Sequence, residues 1–245
     1  RYLDGVVALN ALIIERLKKT FPFAKAQYLV GPSGVDPALF RAHDRSEARR
    51  HIDVEEGMPI VMYTGRFIAW KGLEIIPEAA GLVSDARWYM VGGTREQFEK
   101  LTKAKAPANM VFVEHVPQQD ISWWLAAADV LLVLGTKRDP LSFSYTSPMK
   151  LFEYLLSERP IIASDTPAIR QAVSEQEVIF YEPDNAESLA EQVRAALLQT
   201  GGVREKIGHA RVKGEQFSWK GRAQRILQLI SEHYDSKGST VASHT

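Results

Sequence analysis

Apolar and polar positions along the chain follow two periods, one typical of strands and one typical of helices. Runs rich in β-branched and aromatic residues predict strands at 5–9, 26–31, 60–65, 87–93, 110–116, 129–135, 160–165 and 178–183. Apolar residues three or four positions apart predict helices at 11–20, 72–83, 94–104, 118–127, 148–157, 167–174, 186–199, 204–214 and 219–234. From residue 60 onward the strands are almost continuously apolar, as expected when helices cover both faces of a parallel sheet. The pattern therefore predicts an α/β fold, a doubly wound, Rossmann-like parallel sheet.

The two ends of the chain depart from this alternation. One strand and one helix precede the Gly- and Pro-containing segment AQYLVGPSGVDPALF, which we interpret as a linker. Because a lone strand and helix cannot form a core, residues 1–25 are interpreted as the last β-α unit of a preceding domain. The main domain is then predicted at 26–218 and a terminal helix at 219–235. The small polar segment 236–245 is expected to be disordered.

Composition excludes several classes of protein. The 245 residues include 30 Lys and Arg and 30 Asp and Glu, so a broad basic surface for nucleic acid is not expected. There is no cysteine, which excludes disulfides, thiolate catalysis and Cys-ligated zinc and suits a reducing, cytoplasmic compartment. No apolar run reaches the roughly 18 residues of a membrane span, while a peripheral membrane contact stays open. The chain begins at Arg1, and we expect it to be an excerpt of a longer protein.

Three predicted strand ends carry candidate binding chemistry, and the first is TGRFIAWKG. Gly65 allows a close backbone turn, and Arg66 and Lys71 flank the start of the next predicted helix. Because ligands of open parallel sheets bind at the carboxyl ends of strands, these two cations could bind a diphosphate there. The alternative is a pair of solvated charges on a surface loop.

The second strand end is FVEHVPQQD. Val116 offers an apolar edge, and the backbone around it could meet a planar ring. His115 is interpreted as an exposed loop histidine more readily than as a catalyst. Residues 118–120 could simply cap the following helix.

The third is DPLSFSYTSPMKLFEY, a polar loop followed by a helix. Ser147 at the N-cap and Pro148 at the first helical position predict the helix start. Lys150 and Glu153 then share one face with Ser147 and Ser157, on a helix that is otherwise apolar, which indicates a face that lines a cleft. Glu153 lies about 9 Å along the axis from the cap, the reach from a phosphate to a ribose. The alternative is a Lys150–Glu153 surface pair worth a few tenths of a kcal/mol.

Together, PSGVDPALF, GR-x4-KG, FVEHV, AAADVLLV and SPMKLFEYLLSERPIIASD resemble the C-terminal half of a GT-B fold retaining glycosyltransferase. The resemblance is to the glycosyl transferases group 1 family (glycosyltransferase family 4) and covers about residues 26–199. It implies that residues 1–25 end an N-terminal acceptor domain, that 26–218 bind a nucleotide-sugar donor, and that 219–235 form a crossover helix.

The resemblance also implies roles for individual residues. Arg66 and Lys71 match the basic pair that neutralises the diphosphate, so that no metal or other cofactor is needed. Val116 matches the base-binding strand end, and Glu153 matches the glutamate that holds the ribose. The catalytic candidates are Arg66, Lys71 and Glu153. The candidate donor-binding residues are Gly65, Arg66, Lys71, His115, Val116, Tyr145, Thr146, Ser147, Pro148, Met149, Lys150 and Glu153.

Two positions depart from the family pattern. Tyr145 stands where the family has the first of two glutamates eight residues apart, which leaves the contacts to the transferred sugar unassigned. Ser33 stands where the family usually has asparagine, at a linker position. The expected acceptor, a glycan or lipid-linked hydroxyl, would bind through the N-terminal domain, so this chain is expected to bind nucleotide but transfer little alone.

Two other functions stay open on the residues. A GT-B sugar-nucleotide epimerase shares the architecture but needs additional acid and base residues that we do not find in this half. A non-catalytic binding or interaction module with a decayed site is favoured slightly by Tyr145. A setting in polysaccharide, glycolipid or glycan biosynthesis follows from the resemblance alone, and the base, sugar, acceptor and oligomeric state are not assigned.

Overall fold

A computed structural model describes residues 4–40 and 42–241. Its strands are Gly5–Ala8 (β1), Gln27–Val30 (β2), Ile60–Thr64 (β3), Arg87–Val91 (β4), Met110–Val113 (β5), Val130–Val133 (β6), Ile161–Ser164 (β7) and Ile179–Tyr181 (β8). Its α-helices are Ala11–Thr20 (α1), Arg45–His51 (α2), Ile76–Leu82 (α3), Arg95–Thr102 (α4), Ile121–Ala127 (α5), Met149–Leu155 (α6), Pro167–Arg170 (α7), Ala186–Leu197 (α8), Val203–Glu215 (α9) and Trp219–Val241 (α10). Short 3₁₀ turns lie at Ala69–Lys71, Leu73–Ile75 and Gln118–Asp120, and a π-helical turn lies at Leu141–Tyr145.

The main sheet has six parallel strands in the order β5-β4-β3-β6-β7-β8. The chain therefore moves outward from β3 through β4 to β5, returns to β6 on the other side of β3, and moves outward again. This order confirms the predicted doubly wound, Rossmann-like sheet. The reversal places the carboxyl ends of β3 and β6 at the topological switch point, where open α/β sheets bind their ligands.

Both faces of the main sheet are buried, as the continuous apolar strands predict. Along β3, Val61 and Tyr63 pack in the cluster on one face, while Ile60 and Met62 pack in the cluster on the other. Burying each such side chain contributes about 1.5–3 kcal/mol. The sheet is therefore a rigid support for the loops at its carboxyl edge.

The N-terminal unit forms a sheet of its own. β1 and β2 pair in parallel, with Gly5 opposite Gln27 and Ala8 opposite Val30. The sequence analysis assigned β2 to the main domain at 26–218, but in the structure β2 pairs with β1 and the six-stranded sheet begins at β3. The α1 crossover between two parallel strands explains this, because such a crossover returns the chain to the neighbouring position of the same sheet.

One helix was not predicted from the pattern. α2 has the sequence RSEARRH, in which charged residues outnumber the apolar ones that periodicity detects. Its N-cap is Asp44, whose side chain accepts a hydrogen bond from Glu47 N–H. Ala48 packs against Ala126 and Ala127 of α5. Packing against α5 stabilises a helix too short and too charged to be recognised alone.

The terminal helix is longer than predicted. α10 runs Trp219–Val241, so it continues past residue 235 into the segment expected to be disordered. Ser and Gly at 236–239 lower helix propensity, but no proline is present there to end the helix. Residues 242–245 of that prediction lie outside the described residues. No helix of the described chain is both long and apolar enough to cross a membrane.

Candidate active site

A cleft of about 540 Å³ opens at the carboxyl ends of β3 to β6, at the switch point of the sheet. It brings together every predicted donor-binding residue except Tyr145. Those that line it are Gly65, Arg66, Lys71, His115, Val116, Thr146, Ser147, Pro148, Met149, Lys150 and Glu153. Residues lining the cleft that the sequence analysis did not select include Ile68, Trp70, Gln118 and Ile121. Segments more than 80 positions apart in sequence thus form one surface.

Two glycines shape the floor of the cleft. Gly65 has φ of +120° and its N–H donates to the carbonyl of Val91 at 2.7 Å, so the chain turns tightly at the end of β3. Gly92 has φ of +126°, and a Cβ there would lie 2.7 Å from the carbonyl carbon and oxygen of Gly65. The two turns therefore pack backbone against backbone, which no larger residue permits.

Arg66 and Lys71 lie in the loop that follows β3. Lys71 Nζ donates a hydrogen bond to the carbonyl of Arg66 at 3.2 Å. Burial lowers the pKa of Lys71, and the nearby Arg66 lowers it further. The predicted long helix at 72–83 is divided here into 3₁₀ turns followed by α3, because Gly72 adopts a left-handed φ of +73°. Arg66 consequently precedes the 3₁₀ turn Ala69–Lys71 and Lys71 ends it, so neither cation lies at the first turn of α3.

α6 contributes Lys150 and Glu153, and neither behaves as a surface residue. Lys150 Nζ has no hydrogen-bond partner among the described residues, so it is not hydrogen-bonded to Glu153. It lies 3.3 Å from the centre of the Tyr63 ring. Burial raises the pKa of Glu153, although Lys150 partly offsets this. These observations disagree with the alternative of a solvated Lys150–Glu153 surface pair.

The predicted cap of α6 is wrong. Pro148 occupies the N-cap position, and no side chain caps the helix. The hydroxyl of Ser147 instead accepts a hydrogen bond from Ser33 N–H at 3.2 Å, because the linker after β2 lies against this loop. Ser157 also leaves the predicted polar face, since α6 ends at Leu155 and the Ser157 hydroxyl donates to the carbonyl of Tyr154.

Tyr145 lies outside the residues that line the cleft. It ends the π-helical turn, and its ring is 5.0 Å from the guanidinium carbon of Arg16 on α1. The expectation that it lines the donor site is therefore not met by this geometry. The ring packs against the β1-α1 unit because an aromatic face attracts the arginine cation there.

Two buried residues that the sequence analysis missed hold the cleft together. Asn10 caps α1 and donates hydrogen bonds from Nδ2 to the carbonyls of Ser144 and Thr146, at 3.0 and 3.2 Å. The hydroxyl of Tyr154 accepts a hydrogen bond from Thr64 N–H at 2.9 Å. Asn10 thus positions the loop before α6, and Tyr154 joins α6 to the end of β3. The position of Asn10 before a predicted helix was the one sequence signal available.

Comparison with known proteins assigns the family. A family model described as glycosyl transferases group 1 matches residues 58–199, which is more than half of the chain. The chain belongs to the glycosyl transferases group 1 family. The matched region runs from β3 through α8. It includes all the residues that line the cleft, from Tyr63 to Glu153.

Individual relatives are distant. Sulfoquinovosyl transferase SQD2 of Arabidopsis thaliana is 27% identical over 236 residues, covering 92% of this chain and 44% of that protein. A D-inositol 3-phosphate glycosyltransferase of Kribbella flavida is 23% identical over 211 residues, covering 79% and 48%. The chain therefore spans about half the length of these curated relatives.

Solved structures share the fold. Sucrose-phosphate synthase from Thermosynechococcus elongatus has a TM-score of 0.77 at 20% identity, covering 95% of this chain and 59% of that one. Anabaena HepE in complex with UDP-glucose has a TM-score of 0.74 at 19% identity, covering 95% and 65%. At this level of identity the likeness establishes the architecture and not the substrate.

Proposed function

We propose that the chain is the donor-binding half of a retaining glycosyltransferase of family 4, which moves a sugar from a nucleotide-diphosphate sugar to a hydroxyl acceptor. The observation that carries the proposal is the convergence of Arg66, Lys71 and Glu153 in one cleft at the switch point of the sheet. The two cations can pair with a diphosphate, and the carboxylate can accept hydrogen bonds from the hydroxyls of the ribose joined to it. The complex of Anabaena HepE with UDP-glucose supports the choice of ligand class.

The diphosphate is assigned to Arg66 and Lys71. Charge-assisted hydrogen bonds from these groups hold the ground-state ligand. Their larger contribution comes during transfer, when negative charge develops on the departing nucleoside diphosphate and fixed cations stabilise it. We propose that they do so without a metal.

The nucleoside is assigned to the remaining walls. Glu153 in its ionised form would accept hydrogen bonds from two ribose hydroxyls. Val116 and His115, at the end of β5, would meet the base, and Thr146, Ser147, Pro148 and Met149 would meet phosphate and sugar. Tyr145 is omitted from this assignment because it lies against Arg16.

The acceptor is assigned to a domain outside this chain, since the chain spans about half the length of its curated relatives. We therefore propose that the chain alone binds nucleotide and transfers little. The acceptor would be a glycan or lipid-linked hydroxyl in polysaccharide, glycolipid or glycan biosynthesis, at a cytoplasmic site or at the inner face of a membrane. The names of the curated relatives, a sulfoquinovosyl transferase and a glycosyltransferase, support a glycosyl transfer reaction.

One observation favours a second function. Because Tyr145 replaces the family's first glutamate and lies outside the cleft, the chain could instead belong to a non-catalytic nucleotide-binding module. Both functions require nucleotide binding. They differ in catalysis by the full-length protein. A glycosyltransferase would transfer or hydrolyse the sugar of the nucleotide-sugar that it binds, whereas a non-catalytic module would do neither.

Calorimetric titration of the chain with UDP, GDP and ADP tests the proposal. We expect one of them to bind, and we expect Arg66→Ala and Glu153→Ala each to weaken that binding at least tenfold, which corresponds to about 1.4 kcal/mol. The matched controls are Arg225→Ala on α10 and Glu191→Ala on α8, which are exposed and do not line the cleft. Failure of all three nucleotides to bind the folded chain would contradict the proposal.

A further inference from the structure

The amine of Lys150 is buried and has no hydrogen-bond partner among the residues that the structure describes. The amine lies 3.3 Å from the centre of the Tyr63 ring and 3.1 Å from the point that a Cβ of Gly65 would occupy. An unsatisfied buried polar atom costs folding free energy and calls for an explanation. The amine lies at the floor of the candidate cleft, so a ligand there could satisfy it.

Positive charge outweighs negative charge around this amine. The loop after β3 contributes Arg66 and Lys71, and the point that a Cβ of Gly65 would occupy is only 3.8 Å from Lys71 Nζ. Glu153 is the acidic residue of the cleft lining, and its own pKa is raised by burial. β3 contributes the Tyr63 ring. The π face of an aromatic ring attracts a cation, but more weakly than a negatively charged group does. The three cations of the cluster therefore outnumber its one carboxylate, and a diphosphate would supply further negative charge.

We propose that Lys150 is the third cation of the diphosphate subsite and that its amine takes up a proton when a nucleoside diphosphate binds. The inference rests on the proposed function, since it requires a diphosphate beside Arg66 and Lys71. In the free protein, burial and the neighbouring Lys71 lower the pKa of Lys150 well below its usual range, which shifts the amine toward its neutral form. Bound phosphate oxygens reverse this preference, since they accept hydrogen bonds and carry the missing negative charge.

The proton balance of the step is simple. The neutral amine gains one proton from solvent and becomes an ammonium that donates to a phosphate oxygen, and no covalent bond to the ligand forms or breaks. Affinity therefore falls as the pH rises between the pKa of Lys150 in the free protein and its higher pKa in the complex. One linked proton changes the binding constant by up to about tenfold per pH unit in that interval.

A structural lysine would behave differently. If Lys150 served only to pack its amine against the Tyr63 ring, its protonation would not change on ligand binding. Proton uptake thus separates a ligand-binding role from a packing role, which loss of affinity alone does not.

The test is calorimetry in buffers of different ionisation enthalpy, with whichever of UDP, GDP and ADP binds the chain. At about pH 8 the phosphates are fully ionised, so protons taken up come to the protein. We expect uptake approaching one proton for the wild type, no uptake for Lys150→Met, and unchanged uptake for Lys105→Met, an exposed control at the other end of the sheet. Lys150→Arg keeps the charge without titrating, so its binding should be free of proton uptake.

Each outcome is informative. Absence of binding by all three nucleotides contradicts the proposed function itself. Binding without proton uptake between about pH 8 and pH 9 overturns the inference and leaves the function standing. Equal uptake by wild type and Lys150→Met also overturns it. Should Lys150→Met fail to fold, Lys150→Arg provides the same comparison, and persistent uptake in that variant contradicts the inference.

Discussion

The hydroxyl of Tyr154 on α6 accepts a hydrogen bond from the backbone N–H of Thr64, 2.9 Å away at the end of β3, and lies 3.0 Å from the Thr64 hydroxyl. Both residues are buried. One side chain thus fixes the helix that carries Lys150 and Glu153 relative to the turn that precedes Arg66. The spacing between the proposed ribose and diphosphate contacts depends on this connection.

Removing the Tyr154 hydroxyl is expected to loosen that connection. Tyr154→Phe leaves the buried N–H and hydroxyl of Thr64 without this partner, so we expect unfolding free energy to fall by about 1–3 kcal/mol. Thr64→Val removes the side-chain partner alone and should cost less. Chemical denaturation measures both, and the double variant should be non-additive because the two groups are in contact. Equal and additive losses would contradict the connection.

Gly92→Ala is expected to disrupt the cleft floor. The added Cβ meets Gly65 backbone at 2.7 Å, and the φ of +126° is itself unfavourable for alanine. Gly57 has a similar φ of +106° with open space around it, so Gly57→Ala isolates the conformational cost of about 1 kcal/mol. We expect Gly92→Ala to lose more than Gly57→Ala in denaturant titrations and also to lose nucleotide binding. Equal losses of stability in the two variants would show that the close approach of the Gly65 backbone to position 92 adds no cost of its own.

Asn10 offers a way to separate helix capping from loop positioning. Asn10→Asp keeps the oxygen that accepts from Ile13 N–H but replaces the Nδ2 donor to the Ser144 and Thr146 carbonyls. Its carboxylate would face two carbonyl oxygens, so we expect weaker nucleotide binding and lower stability, by about 1–3 kcal/mol.

Thr94→Ala is the control for the Asn10 variant, since it removes a side-chain cap on α4, away from the loop before α6. It should cost about 1 kcal/mol of stability and leave nucleotide affinity unchanged. Nucleotide affinity unchanged in Asn10→Asp would contradict the positioning role.

Ionised Glu153 is expected to lower the stability of the folded protein while it contributes to nucleotide binding. Burial raises the pKa of Glu153 in the folded protein above its ordinary value of 4.5. The folded state therefore binds the proton more tightly than the unfolded state, so this group disfavours folding increasingly as the pH rises from 4.5 to its raised pKa in the folded protein, above which the effect is constant. We expect Glu153→Gln to match wild-type stability in acid and to exceed it at neutral pH in urea titrations, while nucleotide binding weakens. A large loss of stability at neutral pH would instead indicate a structural ion pair.

The sequence predicted the fold well because its strands are buried on both faces. Val61, Tyr63 and Leu131 belong to runs that are apolar at every position, and such runs are recognised without knowledge of their neighbours. Arg66 and Lys71 were found for a related reason, since both lie in the segment that follows the end of β3, and a parallel sheet collects such segments at one edge.

The remaining features depend on contacts that sequence spacing does not show. Asn10 and the loop carbonyls it binds are 134 and 136 positions apart, and Ser147 is turned toward Ser33 rather than toward its own helix. Tyr145 was expected in the cleft because of its alignment with a glutamate, whereas its ring packs against Arg16. α2 was missed because its short apolar face becomes evident only against α5.

A crystal structure of the chain with whichever of UDP, GDP and ADP binds tests the central claim most directly. We predict diphosphate oxygens within hydrogen-bond distance, about 2.7–3.2 Å, of Arg66 and Lys71, and ribose hydroxyls at the same distance from the Glu153 carboxylate. A nucleotide bound away from the switch point of the sheet, or bound there with its ribose turned from Glu153, would contradict the account.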